Sequence, residues 1–360
     1  MHAECKKFEK SFAKKQQRKY AVFVNSGSSA NLILIQSLLN LKILKKGDTV
    51  GVSALTWGTN VMPIMQLGLI PYVIDCELDT LNVSSKILKK HILKIDCLFL
   101  TNTLGLSDDI DEIEKLCKKN KVLLIEDNCE SLGSIVKGKR LGNFSLASTF
   151  STFVGHHLST IEGGIVCTDD DNLYNMLLTT RSHGWTRDLT EERKNVICKE
   201  SGVEKDDFYE KYTFHELAYN VRPNEITGFI GNTQINNWDR IVKKREDNWK
   251  ILKEVIDNNK ELQSIRTDHM DLVSSFAFPI IEKTPKGISK YKGIFEENDI
   301  EIRPIIAGNI SLQPFIQKNL DTKFDCPNAQ YIHSNGFYFG NNPELTKDEI
   351  NLFKELLKGV

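Results

Sequence analysis

The sequence predicts an α/β protein with a large domain built on a mostly parallel, seven-stranded sheet flanked by helices. A smaller C-terminal α+β domain follows. Three observations support this. Short, continuously apolar runs alternate with amphipathic stretches as far as about Ile235, the signature of βα units whose strands are covered on both faces. The pattern then breaks at Asn236–Asn258, a long charged amphipathic stretch with no strand signal. The composition is that of a globular chain long enough for two units: 360 residues, 40% hydrophobic and 26% charged. The expected division is 1–240 and 241–360.

Seven runs read as strands: Tyr20–Asn25, Thr49–Ala54, Ile70–Asp75, Cys97–Asn102, Val122–Asp127, Ala147–Ser151 and Gly164–Thr168. Between them, Asn31–Leu41 reads as a helix after a turn. Asp109–Lys119 reads as a second helix, with an acidic start and a basic end that suit the helix dipole. Beyond Leu262, Phe276–Ile281, Ile300–Pro304 and Gly336–Phe339 read as short strands. Lys347–Leu357 reads as a closing helix capped by Thr346.

The charge excludes some functions. With 47 Lys and Arg against 48 Asp and Glu, the net charge is −1, which argues against a nucleic-acid or membrane-surface partner held by bulk electrostatics. No apolar run is long enough to cross a bilayer, and the basic N-terminus lacks the apolar stretch of a secretion signal. The eight cysteines form no C-x-x-C pair and are too sparse for a disulfide framework, so no metal site and a reducing, cytoplasmic setting are expected.

Four segments carry candidate chemistry. In Asn25–Asn31, Gly27 allows close backbone approach, while Ser28, Ser29 and the first N–H groups of the next helix suit an anion such as phosphate. A plain serine cap fits the same residues. Asp127, at the C-terminal end of a buried strand, is placed where open α/β sheets bind ligands, and its carboxylate could pair with a cationic heterocycle or cap the following helix. The segment Ser151–Gly164 holds His156 and His157, whose side chains must diverge, so a general base is a better use of one of them than a shared metal. Trp57 follows a strand, where it offers a stacking surface or simple packing.

Taken in order, these segments resemble the sugar-aminotransferase family of fold type I pyridoxal-phosphate (PLP) enzymes, the DegT/DnrJ/EryC1/StrS group, nearly end to end. The resemblance implies that Gly27, Ser28, Ser29 and Ser151 hold the cofactor phosphate and that Trp57 stacks on its ring. It places Asp127 against the ring nitrogen and Glu130, where the family often has Gln, near the phenolic oxygen. Asn220, in Tyr219-Asn220-Val221-Arg222, reaches the phosphate of a neighbouring subunit in relatives, which implies a homodimer with shared active sites. His183, Arg187, His215 and Arg303 are substrate-side candidates; for His183 and His215 a structural role fits equally, and Arg222 is equally an interface residue.

One departure changes the expected chemistry. Counting back from Glu162, the position of the family's cofactor-binding lysine holds His156, and no lysine occurs from Leu141 to Arg193. The cofactor, as PLP or as pyridoxamine phosphate (PMP), must then be held non-covalently. This substitution marks the PMP-dependent nucleotide-sugar 3-dehydratases. After Cys198 only Cys326 remains, too few ligands for the iron–sulfur cluster that one branch carries, so the resemblance is to the cluster-free type acting on GDP-4-keto-6-deoxymannose, with L-glutamate as amino donor. His156 is the expected catalytic base and acid. The alternatives are a nucleotide-sugar 4-aminotransferase and a non-catalytic cofactor-binding relative. The family also carries a segment before its Phe-Glu-x-x-Phe-Ala stretch, here Phe8–Ala13, so the expectation is either a truncated chain or a more open substrate site.

Overall fold

The computed structural model describes residues 3–203, 208–283 and 289–358. Its large sheet contains β1 (Tyr20–Val24), β2 (Thr49–Ser53), β3 (Ile70–Ile74), β4 (Cys97–Thr101), β5 (Leu123–Asp127), β6 (Ala147–Ser151) and β7 (Gly164–Thr168). All seven predicted strands form, most of them one residue shorter than the apolar run suggests. The order is β1-β7-β6-β5-β4-β2-β3. The pairings β2–β3, β2–β4, β4–β5 and β5–β6 are parallel, whereas β7 runs antiparallel to both β1 and β6. In this register Val24 and Ser151 both sit opposite Gly164. The C-terminal ends of β1, β5 and β6 therefore share one rim of the sheet, where such folds gather their ligands.

One helix differs from expectation in an informative way. The helix after β1 spans Gly27–Asn40 and starts well before Asn31, because Ser26 is its cap and accepts a hydrogen bond from the Ser29 N–H. Gly27 and Ser28 thus form its first turn, whose N–H groups lack intrahelical acceptors. The long helix spans Trp238–Asn258. Its first turns put Trp238, Ile241 and Val242 against Phe8 and Phe12 of the N-terminal helix, with Phe23 and Phe150 from the sheet. Its later turns put Trp249, Leu252 and Ile256 into the main core, where Trp249 stacks on Phe278 at 5.9 Å.

A second sheet holds β8 (Ala277–Ile281), β9 (Ile302–Arg303) and β10 (Gly336–Gly340), all antiparallel in the order β8-β10-β9. Its inner faces join the same apolar cluster as the large sheet. The closing helix spans Lys347–Leu357 as predicted, and Thr346 and Glu349 make a reciprocal capping box. Among the described residues, no helix is long and apolar enough to cross a membrane.

Candidate active site

The rim encloses a cavity of about 330 Å³. One end is the turn from β1 into its helix. Ser26 Oγ accepts from the Ser29 N–H at 3.0 Å and donates to Ser29 Oγ at 2.9 Å. A Cβ on Gly27 would lie 2.8 Å from the Ser151 Cβ, and one on Gly164 only 2.1 Å from the Ser26 carbonyl oxygen. Both glycines are therefore required for the turn to lie against β6 and β7. Gly27, Ser28 and Ser151 line the cavity, whereas Ser29 is engaged in the cap and does not. Free first-turn amides and two hydroxyls make this end a cradle for a phosphate-sized anion.

The floor is Asp127, almost fully buried at the end of β5. Its Oδ2 accepts from Asn60 Nδ2 at 2.6 Å and from Asn31 Nδ2 at 3.2 Å, and its Oδ1 accepts from the Cys129 N–H at 2.8 Å. Three donors fix the carboxylate in one orientation. Its neighbour Glu126 points to the other face of the sheet and has a different task. It accepts from Asn102, from the Gly142 and Phe144 amides and from Ser145, pinning the 142–145 turn. Glu130 stands beside Asp127 and accepts from the Leu104 N–H at 2.9 Å. Burial pushes its carboxyl up to about 7; the Leu104 amide opposes that shift and the Asp127 charge adds to it.

Trp57 flanks the start of helix Gly58–Gln66, is 57% exposed and lines the cavity. A tryptophan so little packed is available to stack on a ring rather than to fill a core.

His156 stands on a tight loop between β6 and β7. The Thr152 and Thr160 hydroxyls meet at 2.6 Å across the loop's base. Backbone bonds Thr152 N–H to Gly163 O, Thr160 N–H to Thr152 O and His156 N–H to Phe153 O close it. A Cβ on Gly163 would strike both threonine hydroxyls, at 2.3 and 2.4 Å. The His156 ring lies 5.3 Å from the Phe276 ring. Burial pulls its pKa down to about 4, with the Asp127 charge and the Cys129 backbone opposing and Arg245 adding to the fall. At neutral pH it is an uncharged imidazole that can accept a proton. His157 turns away, as adjacency requires: it is buried, and its Nε2–H donates to the Ser274 carbonyl at 2.9 Å. The lining contains no lysine.

Of the substrate-side candidates, Arg303 lines this cavity, with Nε donating to Glu301 at 2.8 Å. His183, Arg187, His215 and Asn220 form a separate surface group. Arg187 lies 3.8 Å over Trp185 and donates to the Lys211 carbonyl. His183 adopts a left-handed backbone with φ 61° and packs on Trp185 at 4.5 Å. His215 Nδ1 meets Ser201 Oγ at 3.0 Å. Asn220 Oδ1 accepts from Arg222 Nε at 3.0 Å. Phe214, which stacks on Trp185, and Leu217 and Ile226 of the same stretch of chain are exposed. The sequence reading missed the Asn31 and Asn60 amides on Asp127, and Phe276 and Tyr338 on the far wall. Asn31 directly follows the anion turn and Asn60 lies three residues after Trp57, so both were in view; Phe276 and Tyr338 reach the site only through tertiary closure.

The profile of the DegT/DnrJ/EryC1/StrS aminotransferase family matches residues 2–357. A GDP-4-keto-6-deoxy-D-mannose 3-dehydratase of Escherichia coli O55:H7 (strain CB9615 / EPEC) is 38% identical over 98% of this chain and 91% of its own length. An E. coli GDP-4-keto-6-deoxy-D-mannose-3-dehydratase solved with bound hydrated PLP superposes with a TM-score of 0.92 at 36% identity, covering 99% of this chain and 92% of that one. The structure of a GDP-4-keto-6-deoxymannose-3-dehydratase with a trapped PLP-glutamate geminal diamine gives a TM-score of 0.92 at 35% identity, covering 99% and 93%. With this cavity, this sheet order and matches spanning nearly the whole chain, the protein belongs to the DegT/DnrJ/EryC1/StrS aminotransferase family.

Proposed function

We propose that the protein is a PLP/PMP-dependent nucleotide-sugar 3-dehydratase. It removes the C-3 hydroxyl of a 4-keto-6-deoxy sugar of the GDP-4-keto-6-deoxymannose type, with L-glutamate as amino donor. The observation that carries this is His156. A neutral imidazole stands at the family's lysine position, facing a cavity whose other features suit the cofactor and whose lining offers no amine.

The residues fit the group. The Gly27–Ser28 turn and Ser151 would take its phosphate, Asp127 the ring nitrogen, Trp57 the ring face and Glu130 the phenolic oxygen. When bound, the cofactor supplies an electron sink and, in its amine form, the two electrons that replace the C–O bond. The chain supplies orientation and proton traffic. Asp127, fixed by two asparagine amides, would hold the ring nitrogen. His156 accepts a proton on its imidazole and then gives it to the departing C-3 oxygen, so one residue acts as base and acid in turn. A lysine there would bind the cofactor covalently and favour transamination.

The group around Asn220 lies outside this chain's own cavity and carries exposed Phe214, Leu217, Ile226 and Phe229. That apolar surface supports a homodimer in which Asn220 and His183 complete the partner's site. The eight cysteines are free, which supports a reducing, cytoplasmic setting in surface-polysaccharide deoxysugar synthesis. We place the boundary between the two domains in the long helix, as 1–240 and 241–360.

The test is product analysis. With glutamate and GDP-4-keto-6-deoxymannose, the protein should release ammonia and a sugar lighter by one oxygen. A stable amino sugar would make it an aminotransferase instead, and failure to form 2-oxoglutarate would make it non-catalytic.

A further inference from the structure

His157 stands next to the proposed base but turns the other way, and what it holds bears on His156. The two histidines meet different parts of one short segment, Ser274–Phe276, which leads into β8. The His156 ring lies 5.3 Å from the Phe276 ring. The His157 ring is buried, and its Nε2–H donates to the Ser274 carbonyl at 2.9 Å. Burial holds its pKa well below 6.5, with the Arg245 charge adding to the fall, so the ring is neutral and has a single N–H to give. Its Nδ1 has no protein partner among the described residues.

The rest of the segment is held from other elements. Arg245 Nη1, on the long helix, donates to the Ser275 and Phe276 carbonyls at 3.3 and 3.0 Å. Asn341, just beyond β10, donates to the same two carbonyls, with its side chain at 3.2 Å and its backbone at 3.3 Å. The Ser274 N–H donates to Ser134 Oγ at 3.0 Å and the Phe276 N–H to the Leu104 carbonyl at 2.9 Å. Gly105 lies so close that a Cβ there would stand 2.5 Å from the Ser274 carbonyl oxygen. Among the described residues, the Ser274 carbonyl is the one bonded from the loop that carries His156. Loop and segment therefore meet at two adjacent points, a ring contact through His156 and a hydrogen bond through His157. Apolar contact has no preferred direction, whereas a hydrogen bond does. The bond thus sets where the Phe276 ring stands relative to the loop.

We propose that His157 is a positioning residue for His156: it ties the loop to Ser274 and so fixes the Phe276 ring as the surface that directs the His156 imidazole in the first cavity. That the directed group is a base rests on the function proposed above; the tie itself does not. The charged groups that bear on His156 are Asp127, at the end of β5, and Arg245, on the long helix. Arg245 acts on His156 by its charge as well as through the carbonyls it braces, so replacing it would not separate position from electrostatics. His157 and Phe276 can be changed with both charges in place.

The test uses the full-length protein loaded with PLP. His156 is followed by nitrogen NMR of labelled histidine, and kcat and KM are measured with glutamate and GDP-4-keto-6-deoxymannose. His157→Asn keeps a polar group too short to reach Ser274. Its His156 titration should move up from about 4 toward 6.5, and kcat should fall about 10–100-fold at nearly unchanged KM. His157→Gln, whose amide reaches as far as Nε2, should restore both. Phe276→Leu leaves the tie in place and removes only the ring. It should give the same two changes, and it decides the matter if His157→Asn does not fold. A wild-type titration and kcat in folded His157→Asn or Phe276→Leu, or no recovery in His157→Gln, would overturn the positioning role. The expected titration shifts in a protein that performs no dehydration would overturn the proposed function and leave the positioning of His156 standing.

Discussion

The two ends of the first cavity are built on opposite principles. At the Asp127 end every oxygen of the carboxylate is held by a donor, and the adjoining turn is so tight that a single methyl group on Gly27 would not fit. At the His156 end the loop backbone is equally well tied, yet the imidazole rests on Phe276 and is held mainly by packing. The difference separates holding from proton transfer. A group that must keep one geometry is surrounded by donors, while a group that must gain and lose a proton is kept neutral by burial and left free to switch.

Breaking the proton-transfer end should have the largest effect. His156→Asn keeps the loop and removes the base, and turnover should fall by about 10²–10⁴-fold with cofactor affinity unchanged. Single-turnover kinetics beside a cofactor titration would show whether the two separate; unchanged turnover would assign the proton to another group. At the fixed end, Asp127→Asn should lower the pKa of a bound pyridine nitrogen by about 1–3 units, read from the cofactor's absorbance against pH. Gly27→Ala should act next, because the added methyl meets Ser151 and the anion cradle must open. A clear loss of cofactor affinity together with a lowered thermal midpoint is expected.

Glu130 sharpens the same contrast through pH. Its folded pKa of about 7 lies above its ordinary value of 4.5. The native state therefore binds more protons than the unfolded chain between those values, and Glu130 makes the protein less stable as pH rises through that window. Glu130→Gln removes this, so its thermal midpoint should gain on the wild type from pH 5 to pH 8. A constant gap between the two proteins would place Glu130 in a more polar setting than its surroundings indicate. Trp57→Ala should be the mildest change, weakening cofactor binding by roughly 3–10-fold because a stacking face is lost while nothing else leans on it.

Much of this was legible in the sequence, for physical reasons. Continuous apolar runs such as Cys97–Thr101 and Gly164–Thr168 could only be strands covered on both faces, and they are. The Thr346 cap was readable because it lies directly before the helix it caps. His156 stood out because a lysine was missing where the motif requires one. Ser29 was misplaced because a serine cap and an anion ligand look alike in sequence; only the Ser26–Ser29 contact separates them. Asn60 lies three residues after Trp57, whereas Phe276 and Tyr338 could not be foreseen, since each reaches the site from an element that local pattern does not connect to it. Arg245 was hidden for the same reason: inside a strongly charged helix it looks like a surface residue, and only the packing of that helix on the small sheet buries it.

The central claim is that this family member holds its cofactor without a lysine. Loading the protein with PLP, reducing it with borohydride and weighing the intact chain tests this directly. The account predicts the mass of the unmodified protein and a cofactor that washes away; a chain heavier by one reduced cofactor, mapped to a lysine, would contradict it.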